Sequence, residues 1–384
     1  MKIAVAHHSL NIPGGAERLC LSVIEALKKR GHEVSLVTVE KTDWKTVKKN
    51  FGTVVLPNKE KYVITSRVSK RLSSIPVSSM YFSFFALQLL AKKSQHGYDL
   101  IINTFGDAIN SIADITYIHF PLRAALNLSQ IPAFADISMW KRIAPFYDSA
   151  MSFLDRVAPG DLLTNSKFIQ KIIRSALHRE SIVVYPPVDV ETFASSCYKK
   201  RKKSNTVAVV ASYTPKRHLE RVPLIAKHVK SAKLFVMGKA DEYSLPILEK
   251  LRDQINSLQI EDRITLMKNV PFDQFLGVLS EAKVYLHIMP HDHFGISVVE
   301  AMASGCVPIV HRSGGPWTDI LEEEQGLYGF SYSTPAEAAA YIDSLVADED
   351  LRSKIASRAS SRARRFDRAV FMNRIVEVVE KVAG

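Results

Sequence analysis

A short stretch of the chain, from Met289 to Ile309, combines small residues with two carboxylates directly after an apolar run. The pattern predicts a strand that ends near His287 and a helix that begins at about Ile296. The first N–H groups of a helix have no partner inside it, and they favour anions. We therefore expect the N–H groups of Gly295, Ile296 and Ser297 to bind phosphate oxygens.

The two carboxylates of this stretch, Asp292 and Glu300, belong to the predicted loop and to the first turns of the helix. Carboxylate oxygens accept hydrogen bonds from hydroxyl groups. Asp292 is therefore expected to contact a sugar, and Glu300 to reach ribose hydroxyls. A simpler interpretation also fits, in which an acidic residue favours the helix start and Glu300 is an exposed glutamate without a ligand.

A second loop with binding character, Asn11-Ile-Pro-Gly-Gly-Ala-Glu17, joins the first predicted strand to a helix that runs to about Arg30. Gly14 and Gly15 allow a close approach of the backbone, and the helix behind them suits a diphosphate. A tight turn that needs glycine explains the same residues. The loop lacks both GxGxxG and GxxxxGK[ST], which argues against a dinucleotide oxidoreductase and a P-loop enzyme.

The elements that position these loops alternate along the chain between short apolar runs and amphipathic helical patterns, which predicts an α/β fold with parallel sheets. We expect two doubly wound Rossmann-like domains that face each other across a cleft, because 384 residues exceed one typical core. Residues 1–188 form the first domain and 189–366 the second, with the break at Tyr185-Pro-Pro-Val-Asp189. The helix 367–384 is expected to return to the first domain.

Individual elements follow from the same patterns. The last helix is predicted to bury one face with Val370, Phe371, Ile375 and Val378. The first domain is predicted to have strands at 2–7, 34–39, 53–56, 99–103, 115–118, 162–164 and 182–185. In the second, strands are predicted at 207–211, 233–237, 263–267, 284–287 and 307–310.

Composition limits the classes of protein that remain. A hydrophobic fraction of 47% argues against a disordered chain, and three scattered cysteines favour a reducing cytoplasm. We expect neither a signal peptide nor a membrane-spanning segment. The net charge of +12 suits nucleic acid, anionic lipid or phosphorylated substrates. No basic-aromatic strip or known motif for nucleic acid is present, so we expect no nucleic-acid partner.

The motifs taken together resemble glycosyltransferase family 4. The pattern from Asp292 to Glu300 with Phe294 and Gly295, followed by Gly314-Gly315-Pro316, is similar to that family. The runs His293-Phe-Gly-Ile-Ser-Val-Val-Glu300 and His311-Arg-Ser-Gly-Gly-Pro316 look most like those of α-1,2-mannosyltransferases that extend lipid-linked oligosaccharides. The resemblance implies the GT-B fold, a nucleotide-diphosphate sugar donor with GDP-mannose as best match, a glycan or polyprenyl-pyrophosphate acceptor, retained anomeric configuration, and no metal or other cofactor.

The resemblance also assigns roles to residues. His119, in Tyr117-Ile-His-Phe-Pro121, would contact the donor sugar, and it joins Asp292 as a candidate catalytic residue. A satisfied interior histidine is the other interpretation of His119. Lys216 and Arg217, at the predicted start of the second domain's first helix, would stabilise the leaving diphosphate, although two solvated basic residues fit the sequence as well.

Two positions depart from the family's pattern. Asp292 stands where the family has glutamate, so its side chain is shorter by one methylene. Ser212 stands where the family has an arginine, and a serine cannot neutralise a phosphate.

The acceptor side is indicated only by composition. Residues 67–93 place a long apolar run between clusters of basic residues, which suits a lipid-linked acceptor or peripheral contact with an anionic membrane. A buried helix with solvated ends also fits, and we consider residues 133–151 a candidate continuation of the acceptor surface. A UDP-sugar-dependent transferase, a paired-carboxylate glycosidase, an epimerase and a non-catalytic sugar-nucleotide sensor stay open as alternatives.

Overall fold

The computed structural model describes residues 1–64, 97–106, 113–121, 160–198 and 203–384. It divides into two compact units, one formed by Met1–Pro187 with Arg368–Gly384 and the other by Val188–Asp367. The two segments expected to serve the acceptor, 67–93 and 133–151, lie outside the described residues.

The first unit is built on a seven-stranded sheet in the order β3-β2-β1-β4-β5-β6-β7, in which each pair of neighbours is parallel. Its strands are β1 (Lys2–His7), β2 (Glu33–Glu40), β3 (Lys59–Ile64), β4 (Leu100–Asn103), β5 (Ile115–Ile118), β6 (Asp161–Thr164) and β7 (Ile182–Val183). Before residue 188, the helices within the described residues are α1 (Gly15–Lys29), α2 (Trp44–Phe51) and α3 (Lys167–Leu177). The strand order changes direction between β1 and β4, where such sheets bind ligands.

The third strand lies at Lys59–Ile64, so the expectation of a strand at 53–56 was wrong. Val54 instead packs its side chain against the core. Asn58 then meets Val34 on β2 twice: its N–H donates to the Val34 carbonyl at 2.7 Å, and its Oδ1 accepts from the Val34 N–H at 3.0 Å. Because β3 is an edge strand, most of its residues face solvent and can be polar. The sequence therefore has no apolar run at β3 from which a strand could be predicted.

The second unit has a six-stranded parallel sheet in the order β10-β9-β8-β11-β12-β13. Its strands are β8 (Ser204–Val210), β9 (Lys233–Gly238), β10 (Ile264–Lys268), β11 (Ala282–His287), β12 (Val307–His311) and β13 (Phe330–Tyr332). Its helices are α4 (Val190–Tyr198), α5 (Arg221–Ala226), α6 (Leu245–Ser257), α7 (Phe272–Glu281), α8 (Ile296–Ala303), α9 (Pro335–Ala347) and α10 (Glu349–Ala363). The order changes direction between β8 and β11. The three-residue strand β13 was not among the predicted strands.

Both sheets are buried on their two faces. In β1, Ile3 and Val5 join the large core with α1, while Ala4 and Ala6 join a separate core on the opposite face. Parallel strands covered on both sides read as continuous apolar runs, which is why the sequence predicted a doubly wound α/β fold.

The last helix, α11 (Arg368–Ala383), packs against α1 within the first unit. Phe371, Ile375, Val378 and Val379 are buried there, but Val370 is 50% exposed, so its predicted place on the buried face was wrong. The Arg368 guanidinium donates to Ser22 Oγ at 3.2 Å and also pairs with the Glu25 carboxylate. Within the described ranges, no helix combines the length and apolar composition that crossing a lipid bilayer requires.

Candidate functional site

The loop between β11 and α8 lies at the switch point of the second sheet, at the carboxyl edge of its strands. Gly295 ends this loop in the left-handed region, with φ of 91°, and α8 begins at the next residue, Ile296, as the sequence predicted. A Cβ atom on Gly295 would lie 2.8 Å from Cγ of Pro316. Glycine is therefore required at this position both for its φ angle and for space.

Two further glycines, Gly314 and Gly315, pack against the backbone of this loop. A Cβ atom on Gly314 would lie 2.5 Å from the Asp292 carbonyl oxygen, and one on Gly315 would lie 2.4 Å from the His293 carbonyl oxygen. The Gly315 N–H donates to the Asp292 carbonyl at 2.8 Å. The backbone of the Gly314-Gly315-Pro316 motif thus packs directly against the backbone of the loop, where no side chain would fit at the two glycines.

The loop is also held by a hydroxyl. Ser313 Oγ accepts a hydrogen bond from the His291 N–H at 2.9 Å and lies 2.8 Å from Nδ1 of His311. His291 has φ of 53°, a conformation that costs a non-glycine residue free energy. This bond stabilises the strained residue and fixes the start of the loop.

The Asp292 carboxylate is mostly buried, with its side chain 15% exposed, and lies 3.0 Å from Nε2 of His287. The contact is close but not aligned as a straight hydrogen bond. Burial opposes ionisation of Asp292, but His287 and the nearby charges of His293 and Arg217 outweigh it and lower the pKa of Asp292 to about 2. Asp292 therefore presents a permanent negative charge at neutral pH.

The first turns of α8 hold the remaining predicted donor residues of this segment. Ser297 Oγ accepts a hydrogen bond from the Tyr285 hydroxyl at 2.7 Å, which fixes its side chain. Glu300 is only 8% exposed, so it is not the exposed glutamate of the simpler interpretation. The Phe294 ring, 3% exposed, packs edge-on against Phe366 at 5.3 Å and supports the loop from the core.

The predicted basic residues follow β8, on the other side of the switch point. Lys216 and Arg217 lie on a short 3₁₀ turn, Pro215–Arg217, and not at the start of α5, the helix after β8, which begins only at Arg221. Arg217 Nη1 lies 3.2 Å from Sδ of Met289, at the beginning of the loop that carries Asp292. The structure thus brings the guanidinium and the loop together.

The predicted residues of the first unit lie at the carboxyl edge of its sheet, Gly14 and Gly15 after β1 and His119 after β5. Gly14 precedes α1 in an extended conformation, and α1 begins at Gly15. A Cβ atom on Gly14 would lie 2.6 Å from Oε2 of Glu17, so the glycine leaves room for that carboxylate. His119 follows β5, and its Nε2 lies 3.1 Å from the Thr104 carbonyl oxygen.

Sequence reasoning missed three polar residues beside these sites: His7, Thr104 and His287. His7 and His287 are the last residues of β1 and β11, and Thr104 directly follows β4. All three are buried. A polar residue that closes an apolar run at the carboxyl end of a strand is the signal that would have found them. Across the part of the chain that the structure describes, no three His, Cys, Asp or Glu side chains are arranged to hold a metal ion.

Two protein families match this chain, one over most of each structural unit. The family described as Glycosyltransferase Family 4 matches residues 13–192, and the family described as Glycosyl transferases group 1 matches residues 190–362.

Two curated relatives show how far the similarity extends. A protein of Dictyostelium discoideum named GDP-Man:Man(3)GlcNAc(2)-PP-Dol alpha-1,2-mannosyltransferase is 26% identical over 288 residues, which cover 71% of this chain and 56% of that protein. The Homo sapiens protein of the same name is 33% identical over 219 residues, covering 52% of this chain and 44% of that protein. The chain thus spans about half the length of these curated relatives.

Among solved structures, HepE from Anabaena in complex with UDP superimposes with a TM-score of 0.74 at 18% identity, covering 99% of this chain and 100% of that one. Similarity at this level of identity concerns the fold, and it agrees with the two parallel sheets described above. Together the two family matches span the chain from residue 13 to residue 362, and the chain belongs to glycosyltransferase family 4, with the GT-B fold.

Proposed function

We propose that this protein is a retaining mannosyltransferase that takes mannose from GDP-mannose and transfers it to a lipid-linked oligosaccharide. The observation that carries the proposal is the loop 289–295, held on Gly314 and Gly315, which places the ionised Asp292 and the start of α8 at one switch point. Both curated relatives are named for transfer from GDP-mannose to Man(3)GlcNAc(2)-PP-Dol.

The donor's diphosphate is the group that suits this site best. The first N–H groups of α8 favour an anion, and Arg217 lies beside the loop. Charge that develops on the leaving diphosphate would be stabilised by these groups and by Lys216, without a metal ion. Asp292 would accept hydrogen bonds from the sugar, and Glu300 from the ribose.

The reaction proposed is a substitution on one face of the anomeric carbon. The bond from this carbon to the diphosphate oxygen breaks, the bond to the acceptor oxygen forms on the same face, and the leaving phosphate takes the acceptor proton. The family resemblance assigns His119 to the sugar, and this assignment stays a prediction.

A lipid-linked acceptor would place the protein at a membrane surface, on the cytoplasmic side where nucleotide sugars are made available to it. The net charge of +12 favours an anionic surface. Sedimentation with vesicles of neutral lipid, and with vesicles that also contain phosphatidylserine, tests this part. Binding only to the anionic vesicles, weakened by salt, is the expected result.

The donor is tested by thermal unfolding with GDP, GDP-mannose, UDP, UDP-glucose and ADP, each with and without EDTA. A ligand at 100 times its dissociation constant adds about 2.7 kcal/mol to the free energy of unfolding. We expect stabilisation by GDP and GDP-mannose that EDTA does not change. Stabilisation by UDP compounds alone would refute the GDP-mannose assignment. Transfer to a synthetic lipid-linked oligosaccharide, with the linkage read by NMR, decides the acceptor and whether configuration is retained.

A further inference from the structure

Beside His119, a connected set of buried polar groups extends from Thr104 to Glu17. His7 and Thr104 are 0% exposed, and the Glu17 side chain is 16% exposed. His7 Nδ1 lies 3.0 Å from Thr104 Oγ1, and His7 Nε2 lies 3.7 Å from Glu17 Oε1. The Thr104 carbonyl oxygen lies 3.1 Å from His119 Nε2. One residue, Thr104, therefore contacts both histidines.

The positions of the protons in this set follow from which atoms can donate a hydrogen bond and which can only accept one. A carbonyl oxygen only accepts, so His119 carries a proton on Nε2 and donates it to Thr104. The Ala6 carbonyl oxygen lies 2.9 Å from Thr104 Oγ1, so the Thr104 hydroxyl proton points to Ala6. Thr104 Oγ1 is then an acceptor for His7, and His7 must carry its proton on Nδ1.

The other nitrogen of His7 is left facing a carboxylate. Burial lowers the pKa of His7, against the opposing effect of Glu17 and with a further lowering by His119, so the ring is neutral. With its proton on Nδ1, the neutral ring has none on Nε2, and this buried atom has no hydrogen-bond partner among the residues that the structure describes. An unpaired buried nitrogen costs free energy, and it persists here beside the proposed site.

The Thr104 backbone is held at the same point. β4 ends at Asn103, and the Thr104 N–H donates to the Ala6 carbonyl at 2.9 Å. With its N–H and its hydroxyl both bound to Ala6, and its Oγ1 accepting from His7, the residue has one orientation. The peptide unit that carries its carbonyl is held as well, because the Phe105 N–H donates to Asn103 Oδ1 at 2.9 Å, and the carbonyl points to His119.

We propose that His7 is a positioning residue for His119: acting through Thr104, it fixes the tautomer and the orientation of the His119 ring. The importance of this for catalysis rests on the proposed function, in which His119 contacts the donor sugar. Glu17 lies against the far side of His7, in the space that Gly14 leaves open.

Matched substitutions separate this role from a merely structural one. The amide nitrogen of asparagine takes about the place of Nδ1 of a histidine, whereas the amide of glutamine takes that of Nε2. His7→Asn therefore keeps the donor to Thr104, and His7→Gln loses it. Thr104→Val removes the hydroxyl, and Thr104→Ser keeps it.

The first readout is the rate of mannosyl transfer. A displacement of about 1 Å in a reacting group can lower a rate about 100-fold. We expect kcat to fall by about 10- to 100-fold in His7→Gln and Thr104→Val, with KM for the donor within about twofold. His7→Asn and Thr104→Ser should stay within about threefold of the wild-type kcat.

The second readout does not depend on activity. In protein labelled with ¹⁵N-histidine, the His119 side chain, assigned through His119→Gln, should show its proton on Nε2. We expect a mixture of tautomers in His7→Gln and Thr104→Val, and the single tautomer in His7→Asn and Thr104→Ser.

An unchanged His119 tautomer in folded His7→Gln and Thr104→Val overturns the proposal, whatever happens to kcat. If Thr104→Val does not fold, the two His7 variants decide. If the wild-type protein transfers no mannose, the proposed function fails while the tautomer measurement still tests the positioning role.

Discussion

Alanine in place of Gly314 tests whether the glycine pair holds the candidate donor loop. Gly314 has φ of +76°, and a Cβ atom there would lie 2.5 Å from the Asp292 carbonyl oxygen and 2.8 Å from the Asp292 nitrogen. Both neighbours are backbone atoms, so no flexible side chain can move aside. The alanine must therefore displace the loop or the segment that carries it.

Two contributions set the expected loss of stability. A left-handed backbone costs an L-residue about 1–2 kcal/mol, and overpacking a tight contact costs about 1–3 kcal/mol. We expect Gly314→Ala to lower the free energy of unfolding by about 2–5 kcal/mol. Unfolding by urea, followed by circular dichroism, measures this quantity.

Gly326 provides a matched control in the same unit. It too has φ of +76°, but its Cβ atom would lie 3.5 Å from the Phe330 ring, an ordinary van der Waals contact. Gly326→Ala should therefore lose only the backbone contribution, about 1–2 kcal/mol. The difference between the two variants isolates the contact with the loop.

The affinity for GDP should also fall more in Gly314→Ala than in Gly326→Ala. We expect calorimetric titration with GDP to show binding at least about tenfold weaker in Gly314→Ala, which corresponds to about 1.4 kcal/mol, and unchanged in Gly326→Ala. Equal stability and equal GDP affinity in the two variants would refute the reasoning. If GDP binds neither the wild type nor the variants, the stability comparison still tests the packing argument.

Three further predictions concern stability. Phe371→Ala should cost about 3–5 kcal/mol because the ring is buried against α1, whereas Val370→Ala, at an exposed position, should cost less than about 0.5 kcal/mol in the same urea titration. The folded state lowers the pKa of Asp292 from 3.8 to about 2, so the ionised carboxylate adds about 2 kcal/mol to the free energy of unfolding above pH 4. This contribution is lost as the pH falls through 2. Asp292→Asn should therefore have a lower free energy of unfolding than the wild type at pH 7, and the difference should narrow in that acid range. Burial lowers the pKa of His7 below 6.5, so the unfolded chain takes up the proton first and the free energy of unfolding should fall as the pH drops below 6.5. Urea titrations from pH 7.5 to 5 should show a shallower fall of this free energy in His7→Asn, and an equal slope in variant and wild type would contradict the assignment.

The fold class was within reach of the sequence. Strands buried on both faces read as apolar runs, as Ile3–Ala6 does in β1 and Val284–Leu286 in β11, and the helices between them carry the amphipathic pattern. Gly295 was identified at the predicted start of a helix and Gly314 as part of the family motif, and both have the left-handed conformation that few other residues adopt without cost. These are local properties, and they led to the two parallel sheets and to the family, both of which are confirmed.

The edge strands were not within reach. β3 is polar because it lies at the rim of its sheet, and β13 has only three residues. The position of each is decided by the neighbour it pairs with, as Asn58 shows by bonding twice to Val34. Likewise the face that α11 buries, with Val370 outside it, depends on contact with α1, hundreds of residues away in the chain.

The contacts around the candidate site separate the two contributions most clearly. The sequence by itself determined where Asp292 and His119 stand in their motifs, because strand ends and glycine-rich loops are local patterns. Only the tertiary structure decided that His287 faces Asp292 and that His7 reaches His119 through Thr104. His7 and Thr104 stand at the ends of β1 and β4, which parallel pairing brings side by side, whereas His287 and Asp292 meet because the loop after β11 folds back onto the end of that strand.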